Sequence, residues 1–341
     1  MKIMDWKAMV LKKMGLTRPM TVNQICQWHN GVQAQFQSYA DVGFWTRMEE
    51  QEFSGAWSSD LVRQWSIRGT MHAYLKDEIS LYLYEGRNYL KPNMHLPSRD
   101  GRISAQEKNY YGDLILEALQ GGNKSRDELK EICRKNHLSK EKELTLFNAW
   151  GGIIASLVSV GKIYQEYGEK SFGLLDNYTP WKKEKAELEI ARRYFSGFGP
   201  VSLADARYYF KENKSIIEAW MKKLDVKTVE VEGKTRYYLG EIEEGFIPEV
   251  LFIAGFDAVL LAFEKKENPF FDSKYIRDIY TMTGILKPTV MLNGELVATW
   301  RKEKSKLYIR PFMKIRKRDR KQMEEKGREV FSQISEIAFE E

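Results

Sequence analysis

The chain has 341 residues, 43% of them hydrophobic and 13% aromatic, and its 54 Lys and Arg against 48 Asp and Glu leave a net charge of +6. At about 100–200 residues per domain this length implies two or three units with real cores, which argues against wholesale disorder. No apolar run approaches the roughly 18 residues of a membrane helix, and the opening "MKIMDWKAMVLKKMG" carries charge throughout where a secretory signal needs an apolar stretch. Cys26 and Cys133, the two cysteines, lie far apart and supply neither a disulfide framework nor a metal cluster, which fits a reducing cytoplasm.

In chain order, one local grammar recurs three times: helices, then a short hairpin. The first copy covers about residues 19–76. Its helix "VNQICQWHN" runs into Gly31 and the glutamines of "GVQAQFQSYA", and its hairpin is "VRQWSIRGTMHAYL". "YLKPNMHLPSRDGRIS" (89–104) reads as a linker. The second copy has a helix at 112–119, a Ser125 cap, a helical run over 142–161 and the hairpin "KIYQEYGEKSFGLL". The third has a helix at 182–199, a Ser202 cap with Asp205 three residues on, a helix at 215–224, and an alternating run on both sides of Glu232-Gly233. Three helices followed by a hairpin is the plan of a winged helix-turn-helix. The implied divisions are 1–88, the linker 89–104, 105–181, 182–245, and a β-rich domain over 246–341. That last domain carries strand-like runs, a tight Asn293-Gly294 turn and a helix near 318–337. From Arg301 to Lys321 it holds eleven Lys and Arg against Glu303 and Asp319, a block that suits a polyanion or a solvated, charged surface helix.

The strings "GVQAQ", "FWTRM", "WSIRGTMH", "FGPVSLADAR", "FIAGFDAVLLAF" and "KPTVMLNGELVATWR" follow one another in order. In them the chain resembles the AlkZ/YcaQ-like winged-helix DNA glycosylases, over roughly residues 19–312. The resemblance implies an α+β fold of three tandem winged-helix units with a small C-terminal β-barrel, C-shaped around a basic channel for double-stranded DNA. It implies excision of cationic or bulky alkylated purines and, in some members, unhooking of interstrand crosslinks, with no metal or organic cofactor. It carries the family's glutamine pair onto Gln33 and Gln35, although Gln35 and Gln37 satisfy the same spacing.

A two-residue step directs both side chains the same way only in extended or turned backbone, so the pair predicts a non-helical segment here. Arg68, Thr70 and His72 of "RGTMH" are expected to meet DNA, with Arg68 and His72 on the same side of a strand. Arg301, Lys302 and Lys304 are the expected phosphate contacts of the terminal domain, while Trp300 and Trp45 read as packing. Asp257 reads as a salt-bridge partner or as orienting an arginine or a water. Lys182, Lys183, Arg192, Arg193, Lys222 and Lys223 suit either a DNA backbone or solvent. Four histidines remote from the cysteines fit a zinc enzyme poorly. A monomer is the simplest assembly. The competing function is a non-catalytic winged-helix DNA-binding protein, such as a transcriptional regulator.

Overall fold

The computed structural model describes residues 1–49, 57–87, 94, 96–98, 100–148 and 151–340, so much of the expected linker 89–104 lies outside the described residues. The chain divides into two bodies, one of Met1–Trp57 with Leu188–Glu341 and one of Ser58–Glu187.

The first body opens with α1 (Ile3–Lys13) and α2 (Val22–His29). Thr21 caps α2: its hydroxyl accepts from the Gln24 amide at 3.2 Å while the Gln24 side chain accepts from the Thr21 amide at 3.0 Å, a reciprocal capping box. Asn30, in left-handed conformation, ends the helix. An extended pair β1 (Val32–Gln33) and a bend at Gln35–Phe36 precede α3 (Gln37–Trp45).

In the second body, β2 (Leu61–Trp65) and β3 (Met71–Leu75) pair antiparallel from Leu61 opposite Leu75 to Trp65 opposite Met71. After α4 (Ile79–Tyr82), α5 (Ala105–Leu119) starts seven residues earlier than its apolar pattern indicates, because Ser104 and Glu107 form a capping box. A short strand β4 (Lys124–Ser125) leads to α6 (Arg126–Lys135), opened by a Ser125–Glu128 box. The run expected as one helix over 142–161 is two, α7 (Lys140–Leu146) and α8 (Gly152–Ser159). The glycines explain the break. Gly152 has φ +53, and a Cβ there would lie 2.1 Å from the Leu146 carbonyl oxygen. β5 (Ile163–Gln165) and β6 (Ser171–Leu174) pair antiparallel, and β4 pairs with β6. The core holds Ile115, Leu119, Leu129, Ile153, Leu157, Ile163 and Phe172.

The division between the bodies falls within α9 (Lys183–Gly197). Next come α10 (Leu203–Phe210), opened by the expected Ser202–Asp205 box, and α11 (Lys214–Lys223). β7 (Lys227–Val231) and β8 (Lys234–Tyr238) turn through Glu232 and Gly233, both at positive φ as a two-residue hairpin requires. The terminal sheet is assembled from β9 (Val250–Ile253), β10 (Thr289–Leu292), β11 (Glu295–Glu303), β12 (Lys306–Pro311) and β13 (Glu336–Phe339), in the order β13-β12-β11-β10-β9. Between β9 and β10 lie two short helices, α12 (Ala258–Leu261) and α13 (Ile276–Ile279), so the second half of the strand-like run "EVLFIAGFDAVLLAF" is helical. The helix α14 (Lys317–Val330) separates β12 from β13.

The expected closed barrel is corrected here. Among the described residues β9 and β13 are the edges of an open sheet. A helix serves where barrel closure would otherwise hide the apolar face: Met323 is buried, and Gly327 allows α14 to approach Leu307, Ile337 and Phe252. Trp300 is buried there as expected, its indole N–H donating to the Ile253 carbonyl at 3.0 Å.

Candidate active site

The backbone around the glutamines is non-helical at Gln33 and Gln35 and becomes helical at Gln37. The Gln33–Gln35 step therefore lies in extended and bent chain, whereas the Gln35–Gln37 step enters α3. Gln33 is 7% exposed and Gln35 is exposed.

This segment is fastened at both ends. Upstream, the Asn30 amide donates to the Ile190 carbonyl at 3.0 Å, and the α9 backbone at Gly197 packs so closely on Trp28 that a Cβ would sit 2.2 Å from the Trp28 carbonyl oxygen. Downstream lies a buried ion pair. Arg47 donates through Nη1 to Asp257 Oδ2 at 2.9 Å and through Nη2 to Oδ1 at 2.7 Å. Its remaining donors reach the Met14 carbonyl at 2.7 Å and the Gly43 carbonyl at 2.8 Å. Asp257 in turn accepts from the Val259 amide at 3.0 Å, capping α12. Asp257 is thus an arginine's partner, and a planar, bidentate fork is the geometry in which a buried pair of charges is tolerated. Trp45, expected in the packing, is instead 45% exposed at the end of α3.

The "RGTMH" segment belongs to the second body. Arg68, at φ 64 and ψ 5, lies with Gly69 in the turn that joins β2 to β3. The strand begins only at Met71, so the expectation that Arg68 and His72 share one side of a strand fails: two successive positive-φ residues reverse the chain between them. His72 is 4% exposed, and its Nδ1 donates to the Thr70 carbonyl at 3.1 Å. Burial, reinforced by the Arg68 charge and partly offset by that hydrogen bond, brings its pKa down to about 4, so the ring is neutral at pH 7. The Thr70 hydroxyl is likewise buried and has no hydrogen-bond partner among the described residues. Both groups are thus enclosed, while Arg68 is half-buried.

The cationic residues of the terminal sheet are exposed where β11 meets β12. Lys302 and Lys304 flank Glu303. Arg301 is already engaged: it pairs with Glu303, bonds Glu340 at 2.6 Å, and lies 3.8 Å over the Tyr308 ring. These carboxylates raise its pKa further above the ordinary arginine value. A cavity of about 230 Å³ in the first body is lined by Lys13, Trp28, Arg192, Arg193, Glu241 and Glu243 but by neither glutamine. Burial lowers the Lys13 ammonium to about 8, Glu189 holds both arginines at 2.7 Å, and Glu243 pairs with Lys12 at 2.8 Å, so the charges lining the cavity are engaged by neighbours outside it.

Comparison with known proteins adds the family. The family model described as DNA glycosylase AlkZ-like matches residues 27–331. The interstrand DNA cross-link repair glycosylase of Streptomyces sahachiroi is 23% identical over 320 residues, covering 85% of this chain and 84% of that protein. The solved structure of the Streptomyces sahachiroi DNA glycosylase AlkZ matches with a TM-score of 0.74 at 20% identity, over 99% of this chain and 98% of that one, which establishes a shared mixed α and β fold. With the family match extending over most of its length, this chain belongs to the AlkZ-like family of DNA glycosylases.

Proposed function

We propose that this chain hydrolyses the N-glycosidic bond of cationic alkylated purines in duplex DNA, N7-alkylguanine and N3-alkyladenine, with Gln33 and Gln35 holding the attacking water. An alkylated purine already carries positive charge, so the C1′–N bond can break with its electron pair passing to the base and no general acid is needed. The sugar develops oxocarbenium character. The remaining task is to hold a water at C1′ and to face the growing positive charge with oriented amide carbonyls. A neutral glutamine does this without becoming a strong base, which favours labile lesions over normal nucleotides. The proton of the added water passes to solvent. The observation that carries this reading is the non-helical backbone at Gln33 and Gln35, in a segment pinned by Asn30 and by the Arg47–Asp257 pair. Adducts that bridge the two strands fit the same chemistry, since each half is itself an N-alkylpurinium; the named activity of the Streptomyces relative points the same way.

On this reading three winged-helix units carry the duplex, Lys302 and Lys304 meet phosphates, and Arg301 joins them when Glu303 and Glu340 release it. The protein acts as a monomer in the cytoplasm, on the nucleoid.

The test is release of free base from a duplex carrying 7-methylguanine. Gln33→Ala and Gln35→Ala should each lower the single-turnover rate on the order of a hundredfold while leaving duplex affinity nearly unchanged. Gln37→Ala, within α3, should leave the rate intact; loss there instead would move the pair to Gln35 and Gln37. Binding of DNA without base release by the unsubstituted protein would favour a regulator.

A further inference from the structure

Phe36 follows Gln35 directly, in the bend that opens α3, and its ring is 43% exposed. One face rests on Phe256, with centroids 6.0 Å apart and planes 25° from parallel, and Tyr39 lies 5.5 Å away. The support beneath is unusually fixed. Phe256 has φ 57, a left-handed conformation that a bulky residue rarely adopts and that persists only where its surroundings enforce it. On one side Gly255 packs its backbone flat against Tyr39, where a Cβ would lie 2.4 Å from the ring. On the other side is Asp257, locked to Arg47. The strained backbone thus holds one ring under another that is itself 43% exposed, one residue from a proposed catalytic amide.

We propose that the outer face of Phe36, backed by Phe256 and Tyr39, is the platform on which the alkylated purine itself stacks, and that it sets the preference for cationic bases. This rests on the glycosylase reading above. A flat ring offers a π-face to any base, and the electron-rich face of phenylalanine attracts a purinium more than a neutral purine. The first turn of α3 carries no acidic residue that would repel the phosphodiester of the stacked nucleotide. Stacking on Phe36 replaces one neighbour in the base stack, so binding opens the duplex at that step.

The experiment uses the full chain, Phe36→Leu and Phe36→Trp. Leucine keeps apolar contact with Phe256 but offers no π-face; tryptophan enlarges it. Single-turnover release is measured on a 7-methylguanine duplex. Binding is measured on a 2′-fluoro-stabilised 7-methylguanine duplex, with 2-aminopurine beside the lesion, against the unmodified duplex. Phe36→Leu should lose lesion preference in binding by roughly tenfold to a hundredfold and abolish the 2-aminopurine fluorescence rise, with the smaller loss of affinity on the unmodified duplex. Phe36→Trp should retain or strengthen both. Base release and fluorescence unchanged in Phe36→Leu would overturn the platform while leaving the glycosylase intact. Absence of base release by the unsubstituted protein would sink the glycosylase reading, and the fluorescence arm, which needs no turnover, would still decide the platform. If Phe36→Leu fails to fold, a Phe36→Trp protein that folds but loses lesion preference overturns the platform.

Discussion

Replacing Asp257 by asparagine keeps the side chain's shape and its cap on α12 but deletes the counter-charge of Arg47. Both side chains are almost fully enclosed, at 2% and 1% exposure, so water cannot take over. One carboxylate oxygen also becomes an NH2 group facing an arginine donor. Removing one partner of such a pair costs about 3–5 kcal/mol. At about 2–4 °C per kcal/mol for a body of this size, the first body's unfolding midpoint should fall by about 6–20 °C, measured by calorimetry. The double variant Arg47→Met with Asp257→Leu removes both charges and fills the space. It should recover most of the loss, leaving about 1 kcal/mol for the missing cap on α12. A fall of less than about 2 °C in Asp257→Asn, or a double variant as destabilised as the sum of its parts, would refute the assignment of this pair as the clamp on α3.

Lys302→Ala with Lys304→Ala should flatten the slope of log affinity against log salt by up to about 2, measured by fluorescence anisotropy on undamaged duplex; an unchanged slope removes these lysines from the phosphate contacts. The lowered pKa of His72 makes stability pH-dependent: as pH falls from 6.5 to about 4 the unfolded chain takes up the proton first, so stability present above pH 6.5 is lost by up to about 3 kcal/mol. Urea midpoints should therefore decline more shallowly with acid in His72→Asn than in the unsubstituted protein, and parallel declines would contradict the neutral, buried ring. Gly197→Ala reverses the usual effect of alanine in a helix: the clash with the Trp28 carbonyl should destabilise by about 1–3 kcal/mol and slow base release, whereas a gain in stability would mean α9 and α2 are not locked.

The starts of α6 and α10 were legible because a capping residue is a local code: Ser125 with Glu128, and Ser202 with Asp205, lie three residues apart and satisfy each other's backbone, whereas the same code at Ser104 and Glu107 lay ahead of the apolar pattern of α5. The tight turns at Glu232-Gly233 and Asn293-Gly294 were legible because Gly at the second position takes positive φ without cost, as Asn readily does at the first, while Glu232 adopts φ 48 against its ordinary preference. What escaped depends on contacts across the chain. Nothing near Arg47 indicates a carboxylate 210 residues away. Whether the terminal strands closed into a barrel or opened under a helix turned on α14 folding back onto β9. Trp45 follows Phe44 and reads as packing, and Phe36 lies between Gln35 and Gln37, where spacing alone does not place its ring; the packed structure leaves the two 45% and 43% exposed. The glutamines were found through a resemblance, while the requirement that their segment be non-helical followed from spacing alone.

The clamp between Arg47 and Asp257 also bears on how the protein is made. During translation the arginine emerges 210 residues before its carboxylate. At about 5–20 residues per second, that is roughly 10–40 s in which the nascent glutamine segment lacks its latch. Val42 of α3, which packs with Val250, Phe252 and Trp300 of the terminal sheet, lacks that apolar cover for the same interval. The proposed reactive segment is synthesised early, and its latch is completed only after three quarters of the chain has been made.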